Sequence, residues 1–288
     1  MSIEEIPVGK PKDDQVLETI KNLMLDDEEY KTHPFVLEGR KTHVFEASND
    51  AKKIVCFGSP HTSDPRDGVF EQIHETFEGT RPDIVYIEGW GVINKRKDIV
   101  RQKMQGISLE EAKREGEGFF TLKLAADAGT DFESPEPDFR QEIDHSLNRG
   151  FAKRDIFAFY LYRSIAQYQR ETSERSIEDC KKYLIPFLET FQEESGWDSA
   201  ELHALEREVL TELDVQDEKK YQAQVDPIPW DGKPQTVLNE ISRNSNRFRD
   251  EYIVDRIAEG LKQYDTLFVV YGSAHAVKME PALRALLV

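Results

Sequence analysis

Three apolar runs, "KKIVCFG", "DIVYIEG" and "DTLFVVYG", all close on a glycine, and they constrain the fold more than any other feature of the chain. They are rich in β-branched and aromatic residues and show no polar–apolar alternation. That pattern belongs to strands covered on both faces, as in parallel sheets sandwiched between helices. After the first run, Val69, Phe70, Ile73 and Phe77 recur at helical spacing. This strand–helix–strand unit predicts two parallel neighbours joined by a right-handed crossover.

The rest of the chain reads around that sheet. Residues 1–30 are polar and acidic and are expected to be frayed or loosely docked, a flexible acidic N-terminus. "HPFVLEGRKTHVFEA" reads as a hairpin turning at Glu38-Gly39-Arg40. Residues 95–220 are almost wholly helical in pattern, interrupted at "GTDFESPEP", and "QVDPIPWDGKP" is a proline-rich break. Ile253, Ile257 and Leu261 mark a helix leading into the last strand, and "MEPALRALLV" a short closing helix. The expected class is therefore α/β, with a central mixed or parallel sheet, flanking helices and a large helical insertion. Residues 31–288 form one such domain, with the insertion at 140–230.

At 288 residues the chain can bury a substantial core. Its net charge of −18 argues against nucleic acid as a partner, because phosphate binding needs clustered lysine and arginine. No apolar run is long enough to span a bilayer, and the amino terminus shows no secretory pattern, so a cytoplasmic location is expected. Cys56 and Cys180 lie far apart, with no CxxC or histidine-paired arrangement, and Cys56 reads as a small core residue.

Two of the glycines open a repeated motif, Gly58-Ser59-Pro60-His61 and Gly272-Ser273-Ala274-His275. A glycine after a buried strand lets the chain turn sharply, and the following residues sit at the carboxyl edge where open α/β sheets bind ligands. On adjacent strands, His61 and His275 would meet despite their separation in sequence, and paired neutral imidazoles suit Zn, Mn, Fe or Co. The plainer alternative is that each histidine caps a turn. Glu88 ends "DIVYIEG", and Glu136 follows the short strand in "DFESPEPD". Two histidines with one or two glutamates would make a metal site with room for a bound water. Arg243, Arg247 and Arg249 in "RNSNRFRDEYI" are candidates to hold a carboxylate or stabilise an oxyanion. His33, His43, His74, His145 and His203 have no companion pattern and read as surface or hairpin residues. There is no HExxH, GxSxG, P-loop or GxGxxG motif.

"GSPHTSDPRDGVFEQIHETFEGTRPDIVYIEG" and "RDEYIVDRIAEGLKQYDTLFVVYGSAHA" resemble the two ends of the TraB/PrgY and Tiki (GumN-like) superfamily, related to erythromycin esterases and ChaN-like proteins. "LAADAGTDFESPEPD" is similar to that family's Glu-Pro segment. The resemblance covers residues 52–140 and 235–288. It implies that His61 and His275 serve a divalent-metal-dependent activity, with Glu88 as the strand-end acid and Glu136 as the Glu-Pro glutamate. Arg249 matches the family arginine best, Arg243 is a second match, and Glu117 in "EGEGFF" matches a Gly-Glu position weakly.

The expected function is hydrolysis of a peptide or ester bond by a water activated on Mn, Co or Zn. His61 and His275 with Glu88 or Glu136 would bind the metal, the other glutamate would act as base, and Arg249 would stabilise the oxyanion. The alternative is a non-catalytic protein that sequesters a peptide, a metal or haem at the same strand ends. A third, plainer reading is a helical scaffold that docks a partner. The expected partners are a peptide or small-molecule substrate, with no nucleic acid and no membrane segment.

Overall fold

A computed structural model of the chain describes residues 12–89, 92–172, 176–211, 215–217, 220–228 and 234–288. Two compact units divide it: one of residues 1–136 and 250–288, the other of residues 137–249. Among the described residues, no helix is long and apolar enough to cross a membrane.

The first unit opens with α1 (Lys12–Lys21), α2 (Asp27–Thr32) and α3 (Pro34–Leu37), followed by β1 (His43–Ser48) and β2 (Lys53–Ser59). It continues through α4 (Val69–Thr80), β3 (Ile84–Ile87), α5 (Val92–Lys95), α6 (Lys97–Gln105), α7 (Leu109–Arg114), α8 (Glu117–Ala128) and β4 (Asp131–Glu133). The second unit contains α9 (Phe139–Asn148), α10 (Lys153–Glu171), α11 (Ile177–Ser195), α12 (Ser199–Leu210) and α13 (Lys220–Val225). The unit boundary falls inside α14 (Val237–Gly260), between Arg249 and Asp250, and the chain ends with β5 (Thr266–Gly272) and α15 (Ser273–Ala285).

The fold is α/β. The five strands lie in the order β1-β2-β5-β3-β4, with β1 antiparallel to β2 and every other pair parallel. β2 and β3 are thus not the neighbours their connection predicts. β5, last in sequence, enters between them, pairing Cys56 with Val269 on one side and Tyr86 with Val269 on the other. β5, apolar from Leu267 to Tyr271, takes the central place, where both edges and both faces are covered.

Period two sorts the side chains. Ile54, Cys56, Ile84, Tyr86, Leu267, Val269 and Tyr271 face Ile253, Val254 and Ile257 of α14 and Ala276, Met279 and Leu283 of α15. Val55, Phe57, Val85, Ile87, Phe268 and Val270 face Val69, Phe70, Ile73 and Phe77 of α4 and Phe120 and Leu122 of α8. β1 is an edge strand, and its burial alternates along its length.

One local expectation is corrected. Residues 33–47 do not form a hairpin: Pro34 opens a short helix, capped by His33 Nδ1 accepting from Phe35 N at 3.2 Å. Proline at the first helical position is preset for that turn and removes a donor the helix does not need. The antiparallel partner of β1 is instead β2. The segment expected to be frayed or loosely docked lies outside the described residues at 1–11. Its remainder forms α1 and α2 around a turn, with Met24 buried, Leu25 N bonded to Lys278 O at 3.0 Å and Lys21 Nζ bonded to Asp255 Oδ2 at 3.1 Å.

The second unit has a core of its own, built on Ile156, Phe157, Leu161 and Ile165 of α10 with Leu184 and Phe191 of α11 and Ile241 of α14. Within it, Glu142 is buried and its Oε2 accepts from Tyr160 Oη at 3.1 Å and Ser245 Oγ at 2.9 Å. Burial next to that carboxylate pushes the Tyr160 phenol well above its ordinary value.

Candidate functional site

Because β2, β5, β3 and β4 run parallel, their carboxyl ends share one edge of the sheet. Ser59 pairs with Gly272 there, so the two motif copies end on adjacent strands.

The two motif glycines are small for close approach, and neither needs a left-handed backbone. A Cβ on Gly58 would lie 2.8 Å from Ala276 Cβ and 3.0 Å from Ser273 Cα, so this glycine admits α15 against β2. A Cβ on Gly272 would collide with the His61 imidazole and approach Glu88 Oε2 to 3.2 Å. The left-handed residue is His61 itself, at φ 58°. That conformation costs an L-residue about 1–2 kcal/mol and is worth attention wherever it is held.

His61 lies over Gly272 with its side chain 64% exposed, and its Nε2 is 3.6 Å from Glu88 Oε2. Glu88 follows β3, continuing the ladder through Glu88 N to Val270 O at 3.0 Å. Its Oε2 accepts from Gly272 N at 2.7 Å, at the amino end of α15, where the helix dipole favours a negative charge. Beyond His61 the loop is braced locally. Thr62 Oγ1 accepts from Asp64 N at 3.2 Å, and Arg66 Nη2 donates to Asp64 Oδ2 at 2.8 Å, holding that exposed carboxyl down at about 2. Glu117, 6% exposed at the start of α8, accepts from Thr62 N at 2.6 Å.

His275 sits in the first turn of α15. Its Nδ1 is 2.5 Å from Asp250 Oδ1, with side-chain exposures of 16% and 4%, and its ring meets that of Tyr271 edge-on at 6.3 Å. A carboxylate only accepts, so Nδ1 carries the proton.

Glu136 is buried just past β4. That strand end is tied to α5 and to the residue run after β3: Asn94 Nδ2 donates to Ser134 O at 2.7 Å, Ser134 N donates to Asn94 Oδ1 at 2.9 Å, and Ser134 Oγ donates to Gly89 O. Arg249 is buried at the last position of the second unit, and Arg243 Nη1 donates to Pro227 O at 3.0 Å within that unit.

Of the expected ligands, His61 and Glu88 come together, while His275 is engaged by Asp250. Among the described residues, no group of three or more His, Cys, Asp or Glu side chains is arranged to hold a metal ion.

Asp250 is the residue that motif reading passes over. A signal was present: it stands three before Ile253 on the same helical stripe as Ile253, Ile257 and Leu261. An acid at a core position is buried and demands a partner. Nor are His43 and His145 simple surface or hairpin residues. His43 Nε2 donates to Glu280 Oε2 at 2.6 Å, and His145 stacks on Phe248 at 4.1 Å within the second unit.

Comparisons with protein-family models, with curated proteins and with solved structures found no match to this chain.

Proposed function

We propose that this sheet edge hydrolyses a peptide or ester bond, as the resemblance to the TraB/Tiki group implies. The observation that carries the reading is an exposed imidazole, held in a left-handed conformation against a carboxylate, at the carboxyl edge of a parallel sheet. His61 is the base that takes a proton from the attacking water, with Glu88 Oε2 3.6 Å from its Nε2. His275, with Nδ1 committed to Asp250, presents a defined tautomer to the same edge. The resemblance gives Arg249 the oxyanion, and Arg249→Ala tests that role.

The resemblance also implies Mn, Co or Zn, and a bound divalent ion would supply a water activated at neutral pH. His61 and Glu88 are the donors that would approach it. With no third His, Cys, Asp or Glu side chain grouped with them among the described residues, the pair alone does not make up the donor set of a catalytic metal.

The test is hydrolysis of a peptide and ester panel, with and without each ion, by wild type, His61→Ala and Glu88→Gln. A loss of about 10²- to 10⁴-fold in His61→Ala is expected. Absence of turnover throughout the panel would sink the proposal.

The 64% exposure of the His61 side chain favours a second reading, non-catalytic binding of a peptide, a metal or haem through one accessible imidazole. Saturable binding of haem or a divalent ion that is lost in His61→Ala, without turnover, would select it.

A further inference from the structure

We infer that the Gly116-Glu117-Gly118 turn at the head of α8 is a positioning clamp that sets the spacing of His61 and Glu88. The inference rests on reading those two residues as the working pair.

The loops carrying His61 and Glu88 leave different strands, and both meet this one turn. On the first side the contact is a hydrogen bond. Glu117 is 6% exposed, and its Oε1 accepts from Thr62 N at 2.6 Å. A carboxylate so buried requires donors, and a charge-assisted bond from a backbone amide is strong. Thr62 directly follows His61, so the bond holds the peptide plane that defines ψ of His61. With ψ held in this way, the left-handed residue at φ 58° is braced on its carboxyl side.

On the second side the contact is steric. A Cβ on Gly118 would lie 3.3 Å from Glu88 O, tighter than ordinary packing. The turn itself is anchored: Thr121 Oγ1 donates to Glu117 O at 2.7 Å, and Gly116 takes φ 96°, a conformation suited to glycine. One helical turn therefore grips the backbone after His61 and abuts the backbone of Glu88. The 3.6 Å between His61 Nε2 and Glu88 Oε2 follows from that common reference. Glu117 is a positioning residue, acting through Thr62.

The test uses the full chain, isotope-labelled for NMR, carrying Glu117→Ala or Glu117→Gln. Glutamine keeps an oxygen for the Thr62 amide, and alanine removes it. Thr62 amide exchange is expected to quicken by about tenfold or more in Glu117→Ala and to stay near wild type in Glu117→Gln. The His61 ring signals should respond to Glu88→Gln in the wild-type background and in Glu117→Gln, and should stop responding in Glu117→Ala. Unchanged Thr62 exchange in Glu117→Ala, or a His61 response that survives there, overturns the inference.

If Glu117→Ala does not fold, Gly118→Ala asks the question from the other side. It should weaken the His61 response to Glu88→Gln and leave Thr62 exchange at the wild-type rate, and an undiminished response overturns the clamp. None of these signals needs turnover. A chain with an intact clamp and no hydrolysis would therefore count against the hydrolase reading alone.

Discussion

Asp250 Oδ1 lies 2.5 Å from Nδ1 of His275, and both side chains are largely withdrawn from water. Removing the imidazole would leave a buried carboxylate without its donor. His275→Ala should therefore destabilise the chain by about 3 kcal/mol, read as a lower denaturant midpoint. Asp250→Asn, with no full charge left to bury, should cost less. In the hydrolase reading it should still lower kcat about 10²-fold or more, since the amide no longer selects the tautomer with the proton on Nδ1.

The two motif glycines predict opposite phenotypes. Gly272 has φ −54° and ψ 139°, which alanine adopts without strain, so Gly272→Ala should fold and displace the His61 ring from Glu88. Its stability should stay within about 1 kcal/mol of wild type while the His61–Glu88 signal or activity is lost. Gly58→Ala drives a methyl into Ala276 and the backbone of Ser273, and a helix cannot yield as a side chain can. It should cost about 1–3 kcal/mol in chemical denaturation.

Glu280 predicts a pH dependence of stability away from the candidate site. The hydrogen bond from His43 at 2.6 Å, helped by Arg284, holds its carboxyl below the ordinary 4.5. A carboxyl lowered in the folded state binds protons more readily in the unfolded chain. Its contribution is complete above about pH 4.5 and is lost as pH falls through the lowered folded value. Glu280→Gln should be less stable than wild type near pH 6, and the gap should narrow as acid takes the pH below about 4.5. A gap that widens with acid would refute the assignment.

Neither cysteine should react in the native protein. Burial pushes the Cys56 thiol far up and that of Cys180 up to about 11, so little thiolate forms at neutral pH. Alkylation should be slow without denaturant and should track unfolding, reporting each unit separately, as Cys56 lies in the first and Cys180 in the second.

The sheet was legible because an unbroken apolar run permits few solutions. "KIVCF", "IVYI" and "TLFVVY" are strands as expected, and the class follows from the helical patterns around them. Strand order was not legible, since nothing local says that a strand 180 residues downstream of β3 will pair with it. "PFVL" was ambiguous because a run of four carries no period, and Pro34 with its His33 cap decided for helix. At the site, the repeated Gly-Ser-x-His spacing put both motifs at strand ends, and the pairing of β2 with β5 supplies the adjacency on which their meeting was conditional. Spacing could not give the left-handed turn at His61, nor that the next amide, Thr62 N, would donate to Glu117, far along the chain. The metal set rests on motif spacing, residue type and the family resemblance, and none of these says that His275 Nδ1 meets Asp250.

β5 passes into α15 without a connecting residue, Gly272 closing the strand and Ser273 opening the helix. Such a junction has no slack in chain length. One residue inserted after Gly272 would turn the helix by about 100° and advance it by about 1.5 Å, swinging His275 off Asp250 and Ala276 out of the gap that Gly58 leaves. A deletion would do the same in the opposite sense. Length changes should be borne by the exposed turn at 49–52, between β1 and β2, whereas the strand–helix junction can change in sequence only where its count of residues is kept.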